Sequence, residues 1–462
     1  MQTSAFQQAR LIPTIGIKGE LEQERRTTSA FLAILTAVPE FAKGLMKPLG
    51  APAGRPSAFI EPEFLLGERK VRPDGLITIE RGGKTWSALV EVKTGKSPLE
   101  LAQINDYLDV CRENGIDALL TISNQVLTLS GEHPTKGLDG RKLKKTALIH
   151  YSWIRILTEA LVQKEHRGIA DPDQAWILGE LIRYLQHPAS GATEFDDMGA
   201  GWTDVLRGIG NGTLAAADQK VIEVVNSFES LTRFVALRLS AKLGVEVVQV
   251  APKIAQLDPR KHQQQSVAEF LSSGRLSGSI RIPNTASDIA LSADVRAKSI
   301  TCSVDIDAPQ EGRNLTRINW LLRQVKNSPE GLRIEVRVKR STTSFVSAAM
   351  YPGAIEKPAV LLPASGADIL GFRLTLIQNM GTKRGDGAGS FVATVVESVE
   401  LGYQVLLENL KSWSAKAPRL GIADSSPSES PFDPVGADSM ILPGDSREVQ
   451  KELDTLEPSS NE

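Results

Sequence analysis

Apolar residues between Gly19 and Val38 recur at helical spacing, with Phe31, Leu32, Leu35 and Val38 on one stripe. Projected backwards, the same stripe carries Thr28 and Glu24, so the pattern predicts a first helix with an acid on its inward face. Three short runs follow, "SAFIEPEFLLG", "VRPDGLITIE" and "KTWSALVEV", and "RGGK" between the last two reads as a hairpin turn. They predict successive antiparallel strands. The next stretch, "SPLELAQINDYLDVCRENG", offers Ser97 as an N-cap, Pro98 in the first turn, a stripe of Leu101, Ile104, Leu108 and Cys111, and Gly115 as a stop. It predicts a helix with signals at both ends. "IDALLTIS" and "KTALIHYSW" read as two further strands and "IRILTEALVQK" as a closing helix, which makes residues 1–165 a first domain.

Residues 166–244 read as a helical connector that ends in the long amphipathic stretch "DQKVIEVVNSFESLTRFVALRLSAKLG". Strands return over 245–415 in "VEVVQV", "GSIRIP", "SITCSVDID", "LRIEVRVKR", "GFRLTLI" and "SFVATVVESVE", with the helix "NLTRINWLLRQV" among them. This reads as a second α+β domain whose role the sequence leaves open, with substrate or partner binding as the options. Residues 416–462 are rich in Ser, Pro and acids with little to bury, which predicts a disordered acidic tail.

Composition sharpens this picture in three places. No apolar run approaches the roughly 18 residues of a membrane span, and the start lacks a secretion pattern, so a cytoplasmic protein without membrane contact is expected. Cys111 and Cys302 are too few and too far apart for a disulfide framework or a zinc cluster, and His133, His150, His166, His187 and His262 form no His-x-x-x-His pair. The net charge of −2 conceals a tail, 421–462, with ten acids against Arg447 and Lys451, so the rest of the chain carries +6. A mildly basic body permits a polyanionic partner.

The chemistry concentrates between Arg72 and Tyr107. Alternation in "WSALVEVK" puts Ser87, Leu89, Glu91 and Lys93 on one strand face, and the hairpin folds Asp74 back towards the end that carries Glu91 and Lys93. Paired carboxylates suit a hard cation such as Mg2+, with Mn2+ as a substitute. Asp74, Glu91 and the Val92 carbonyl would form its inner set of oxygens, and Glu24 would bind directly or through water. Lys93 would orient the attacking water and stabilise phosphoryl charge. Gln103 and Tyr107, one helical turn apart, would face the same site, Gln103 towards Lys93 or the water and Tyr107 towards the phosphate. Glu20 and Glu22 compete with Glu24 for the helix role, and Glu63 is within reach. Arg141, Lys142, Lys144 and Lys145 in "DGRKLKK" form a candidate grip on nucleic-acid phosphates. The glycine-rich "NMGTKRGDGAGS" lacks the Gly-Lys-Ser/Thr ending of a phosphate loop and reads as a hairpin loop.

Pro73-Asp74 and Glu91-Val92-Lys93 resemble the signature of the PD-(D/E)XK, or restriction-endonuclease-like, nuclease superfamily. Gln103 and Tyr107 resemble the Gln-x-x-x-Tyr motif of its RecB-like branch, and "QERR" around Glu24 resembles the first-helix motif of archaeal Holliday-junction resolvases. The resemblance spans roughly residues 15–165. It implies an α/β (α+β) core with a mixed central sheet flanked by helices, metal binding by Asp74 and Glu91, catalysis by Lys93, and support from Glu24, Gln103 and Tyr107. The expected activity is Mg2+-dependent phosphodiester hydrolysis, foremost of DNA, in repair, stress response or phage defence. The alternative is a catalytically silent nuclease fold that binds nucleic acid or protein in a stress-response or defence complex. A protein partner would dock through 245–415 or the acidic tail, and a homodimer is compatible with the resemblance. Each piece alone has a bland reading, since "PDG" is a common turn and Glu-x-Lys a common solvated pair; order and placement carry the joint reading.

Overall fold

The first helix, α1 (Glu20–Ala37), starts after Gly19, whose φ of 85° suits glycine, and ends where Val38 turns extended and Pro39 opens α2 (Pro39–Met46). Its predicted stripe is buried: Phe31, Leu32, Leu35 and Val38 are at most 2 % exposed. These elements belong to a computed structural model that describes residues 10–127, 133–192, 195, 197–338 and 345–414. The predicted acidic tail lies outside the described residues.

The run "SAFIEPEFLLG" is not one strand. It divides into β1 (Pro56–Ile60) and β2 (Phe64–Leu66), and β2 pairs with β3 (Arg69–Val71) in a separate two-stranded ribbon. The run "VRPDGLITIE" divides as well, into the end of β3 and β4 (Gly75–Arg81). Pro62 and Pro73 explain both breaks, since neither can donate to a ladder. β5 (Lys84–Val92) returns from β4 through Gly82 and Gly83, both at positive φ as a tight hairpin requires. α3 (Leu101–Asn114) begins after Glu100, so Ser97 does not cap it; Gly115, at φ 67°, ends it as predicted. β6 (Ala118–Ser123) and β7 (Ala147–Ser152) follow, and Ser152 caps α4 (Trp153–Val162) by accepting from the Arg155 N–H.

The strand order is β1-β4-β5-β6-β7, antiparallel up to β5 and parallel beyond it, with α3 as the crossover. This mixed sheet is covered on both faces. Val90, Val92 and Ile122 pack with Phe31, Phe41 and Trp153 from α1, α2 and α4, while Leu89 and Leu119 pack with Ile104, Leu108 and Cys111 of α3. All six residues of β6 are buried, as a central parallel strand demands.

α5 (Pro172–Leu185), α6 (Trp202–Asn211) and α7 (Gln219–Leu243) come next; Asp218 caps α7 and Gly244, at φ 70°, stops it. One apolar cluster runs from Phe31 of α1 through Phe228 and Val235 of α7 into the second sheet. All but the first strand of that sheet follow the short α8 (Lys253–Leu257) and α9 (Pro259–Ser273). Its strands are β8 (Val248–Gln249), β9 (Arg275–Arg281), β10 (Ile289–Asp294), β11 (Ser299–Asp307), β12 (Arg333–Val338), β13 (Phe345–Met350) and β14 (Ile369–Asn379). They pair antiparallel throughout in the order β13-β12-β14-β11-β10-β9-β8. α10 (Asn314–Gln324) lies where "NLTRINWLLRQV" predicts a helix, and α11 (Gly353–Glu356) is a single turn.

Two readings of this region are corrected. "VEVVQV" contributes only the two residues of β8 to the sheet. "SFVATVVESVE" is not a strand but α12 (Phe391–Gly402), which buries Phe391, Val392, Val395 and Val399 at helical spacing and whose N-cap Ser390 accepts from the Ala393 N–H. Its valines suggested a strand, but their spacing fits one helical face. The glycine-rich loop before it therefore leads into a helix instead of joining two strands. No single helix among the described residues is long and apolar enough to cross a membrane.

Candidate active site

Asp74 stands one residue before β4, and because Gly75 pairs with Val90 the hairpin brings it level with Glu91. Its Oδ2 accepts from the Val92 N–H at 2.7 Å, and its carbonyl accepts from the Glu61 N–H at 3.0 Å. Lys93 follows β5 directly and is held at its backbone on two sides. Its N–H donates to the Ile122 carbonyl at 2.8 Å, and Trp153 Nε1 donates to its carbonyl at 3.0 Å. The ammonium then reaches 2.7 Å from Glu91 Oε1 and 3.3 Å from Glu24 Oε1 of α1. Three carboxylates and one ammonium thus meet at the carboxyl end of β5.

The electrostatics of this cluster are dominated by burial. Glu91 is fully buried, and that desolvation, with the negative charge of Asp74, pushes its pKa up to about 8 against the pull of Lys93. Burial also raises Glu24, partly offset by Lys93. Burial draws the Lys93 ammonium down, yet Glu91, Glu24 and Asp74 together outweigh it and leave its pKa above the ordinary value. Lys93 lies close to Glu91, but neither Glu91 oxygen has a hydrogen-bond partner of acceptable geometry. A buried carboxylate in that state is costly and open to a cation.

Gln103 and Tyr107 face this cluster from α3 but engage each other. Gln103 Nε2 donates to the Tyr107 hydroxyl at 2.9 Å, and that hydroxyl donates to the Arg72 carbonyl at 3.2 Å. Tyr107 is 3 % exposed, and burial, then the charge of Glu91, holds its pKa well above the usual value. Its contact fixes the backbone two residues before Asp74. Gln103, expected to face Lys93 or the attacking water, donates to Tyr107 and supports that anchor.

The competing acids point elsewhere. Glu22 accepts from the Lys18 N–H and pairs with Arg26, Glu20 is exposed, and Glu63 pairs with Lys70 and Arg72. In the basic loop, Arg141 pairs with Asp139 and Lys142 with Asp109 of α3 at 2.6 Å, whereas Lys144 and Lys145 are exposed. The loop enters β7 at Ala147, which the register sets level with Ala88 of β5. That is three residues before Glu91, about 10 Å along the sheet.

Sequence reasoning missed the row beside Glu91. Parallel pairing aligns Glu91 with Thr121 and Thr121 with His150, all on the α3 face. The Thr121 hydroxyl lies 2.9 Å from His133 Nε2 and 3.0 Å from His150 Nδ1. The Thr135 N–H donates to His133 Nδ1, so His133 Nε2 carries its proton; His150 Nε2 donates to the Gln125 carbonyl, so Nδ1 accepts from Thr121. Burial pushes both imidazoles down to about 4 and keeps them neutral. Only the parallel register reveals this row.

The donor set is all oxygen. Among the described residues no group of three or more His, Cys, Asp or Glu side chains is arranged to hold a metal ion. Mg2+ does not require one, because it binds through one or two carboxylates and keeps several waters. Asp74 and the orphaned Glu91 fit that demand. The chain matches no family model, no curated protein and no solved structure.

Proposed function

We propose that the chain is a metal-dependent nuclease with a restriction-endonuclease-like core, acting on phosphodiester bonds, foremost those of DNA, in repair, stress response or phage defence. The observation that carries this reading is the fully buried Glu91, without a hydrogen-bond partner, beside Asp74 and 2.7 Å from the Lys93 ammonium. Structural ion pairs are rarely built so, since a buried carboxylate left unsatisfied destabilises the fold. Asp74, Glu91 and the Val92 carbonyl would hold Mg2+ or Mn2+, with Glu24 as an outer contact. The ion, when bound, supplies charge neutralisation at the phosphate and lowers the pKa of a bound water.

The remaining work falls to side chains of this chain. Lys93, its backbone clamped by Ile122 and Trp153, presents an ammonium that stabilises phosphoryl charge and orients the attacking water. Tyr107 and Gln103 position the Asp74 segment. Lys144 and Lys145, exposed in the loop that enters β7, are the members of the basic loop free to meet flanking phosphates. The α+β region 245–415 or the acidic tail would select substrate or partner.

The test is cleavage of single-stranded, double-stranded and branched DNA, and of RNA, with Mg2+ or Mn2+, run beside Lys93→Ala. Cleavage by the parent and none by the variant is expected. No cleavage of any substrate would overturn the reading. One feature favours the silent alternative: Lys93 already places a cation against both Glu91 and Glu24. Calorimetry with Mg2+ separates the two, because the silent form binds none.

A further inference from the structure

A second concavity, about 680 Å3 in volume, lies between α2, α4 and the C-terminal half of α7, with β8 along one side. It is away from the carboxylate cluster and nothing in the proposed reaction uses it. Its charges are unbalanced. Arg167 and Glu159 satisfy each other in a 2.6 Å ion pair, but Lys43, Lys47, Arg155 and Arg233 have no ion pair among the described residues.

The two arginines are the core of the matter. Arg155 of α4 stacks over the Tyr151 ring at 4.6 Å, and its Nε is buried with no hydrogen-bond partner. Arg233 of α7 is drawn below its ordinary pKa by burial first and then by the Arg155 guanidinium, with no acid to offset either. Like charges brought together in a partly buried cleft repel unless an anion sits with them. The same cleft is lined by Glu40 and Gln249, whose Oε2 and Oε1 are buried acceptors with no donor. Each such atom is destabilising if left unpaired.

We propose that this cleft binds a nucleoside phosphate, with the phosphate held by Arg155 and Arg233 and the hydroxyl and amino donors of the nucleoside taken by Glu40 and Gln249. Paired guanidinium forks match phosphate oxygens in number and geometry. A bare phosphate would satisfy the arginines and leave the acceptors of Glu40 and Gln249 unpaired. A nucleoside supplies both halves, and the volume is that of ordinary small-ligand sites. Lys43 of α2 and Lys47, the residue that follows its last turn, are both exposed and line the cleft as further cations for a longer phosphate chain. The ligand would bridge helices of the mixed sheet to α7 and β8, the elements that lead into the second sheet.

The test uses the full chain carrying Lys93→Ala, with chelator, so that cleavage does not enter. Titration calorimetry and thermal unfolding are run with purine and pyrimidine nucleoside mono- and triphosphates, inorganic phosphate and a short 5′-phosphorylated oligonucleotide. One or more nucleoside phosphates should bind at one site per chain, at least tenfold tighter than inorganic phosphate. Arg233→Ala should weaken that binding by roughly 10- to 100-fold while the circular dichroism spectrum is unchanged. Gln249→Ala, a milder change, should narrow the margin between nucleotide and phosphate, and it serves should Arg233→Ala fail to fold. Absence of nucleotide binding, equal binding of inorganic phosphate, binding of the oligonucleotide alone, or unchanged affinity in both variants would each overturn the proposal.

Discussion

The two sheets treat ionisable side chains in opposite ways. In the antiparallel sheet, charges alternate onto the exposed face and meet in pairs: Arg373 grips Asp305 with two bonds of 2.7 Å, Arg281 grips Asp288, Arg337 meets Asp307 and Arg333 meets Glu335. Such pairs are solvated and contribute little. In the mixed sheet, Glu91 sits at zero exposure among Asp74, Glu24 and Lys93, and its oxygens lack hydrogen-bond partners. Side-chain alternation is the same in both. What differs is that the mixed sheet is covered on both faces, so an ionisable group placed inside it is desolvated, and under the proposed function that group serves the reaction.

The sharpest way to break this comparison is to remove the inner charges. Asp74→Ala and Lys93→Ala should lower metal-dependent cleavage by about 10³-fold or more, the scale of losing a ligand or an electrostatic stabiliser. Circular dichroism should show both variants folded. Glu91→Gln should lower cleavage on the same scale and yet stabilise the metal-free protein. The folded pKa of about 8 stands above the ordinary 4.5, so the folded state holds a proton that the unfolded state releases across that window. Relative to wild type, the gain should therefore be absent below pH 4.5, grow with pH, and level off above about 8. Its full size should be on the order of 1–4 kcal/mol in denaturant titrations with chelator present. A destabilised Glu91→Gln at pH 9 would contradict the burial argument.

The histidine row sharpens the same contrast from the acid side. His133 and His150 are depressed from 6.5 to about 4, so their contribution is complete above 6.5 and is lost as pH falls through 4. Denaturant midpoints followed from pH 7 to 4 should fall in the wild type. His133→Gln should reduce that slope by up to one proton. A slope unchanged by the substitution would mean that other groups carry the acid sensitivity.

How much of this was readable in the chain depended on whether the signal was local. Strand alternation in "WSALVEVK" and the "RGGK" hairpin are local, and together they bring Asp74, Glu91 and Lys93 into one place; the stripe of α1 likewise aims Glu24 inward. The β2–β3 ribbon was hidden because Pro62 and Pro73 each break a run whose composition reads as continuous strand. α12 was hidden because valine favours strands while its burial follows helical spacing. The row from Glu91 to His150 needs the parallel register of β5, β6 and β7, a pairing between segments far apart in sequence. The partner of Gln103 was misjudged for a related reason: two side chains one turn apart reach each other before either reaches the next strand.

Smaller effects test whether support and surface are distinct. Tyr107→Phe deletes the hydroxyl that accepts from Gln103 and donates to the Arg72 carbonyl, leaving the ring packed against α3's core. Loosening the segment before Asp74 should lower cleavage about tenfold at a stability cost near ~1 kcal/mol, because one buried hydrogen-bond network is lost and no cavity forms. Arg373→Ala should do least. Its carboxylate partner Asp305 is exposed enough to be solvated once the guanidinium leaves, and β14 keeps its ladder bonds to β11 and β12. The expected loss is below ~1 kcal/mol, shrinking further in high salt, with cleavage unchanged. A larger loss would have a specific source: the Arg373 guanidinium also lies 4.6 Å from the Phe345 ring of β13, so the stacked contact at the sheet edge, and not the ion pair, would be what holds that strand.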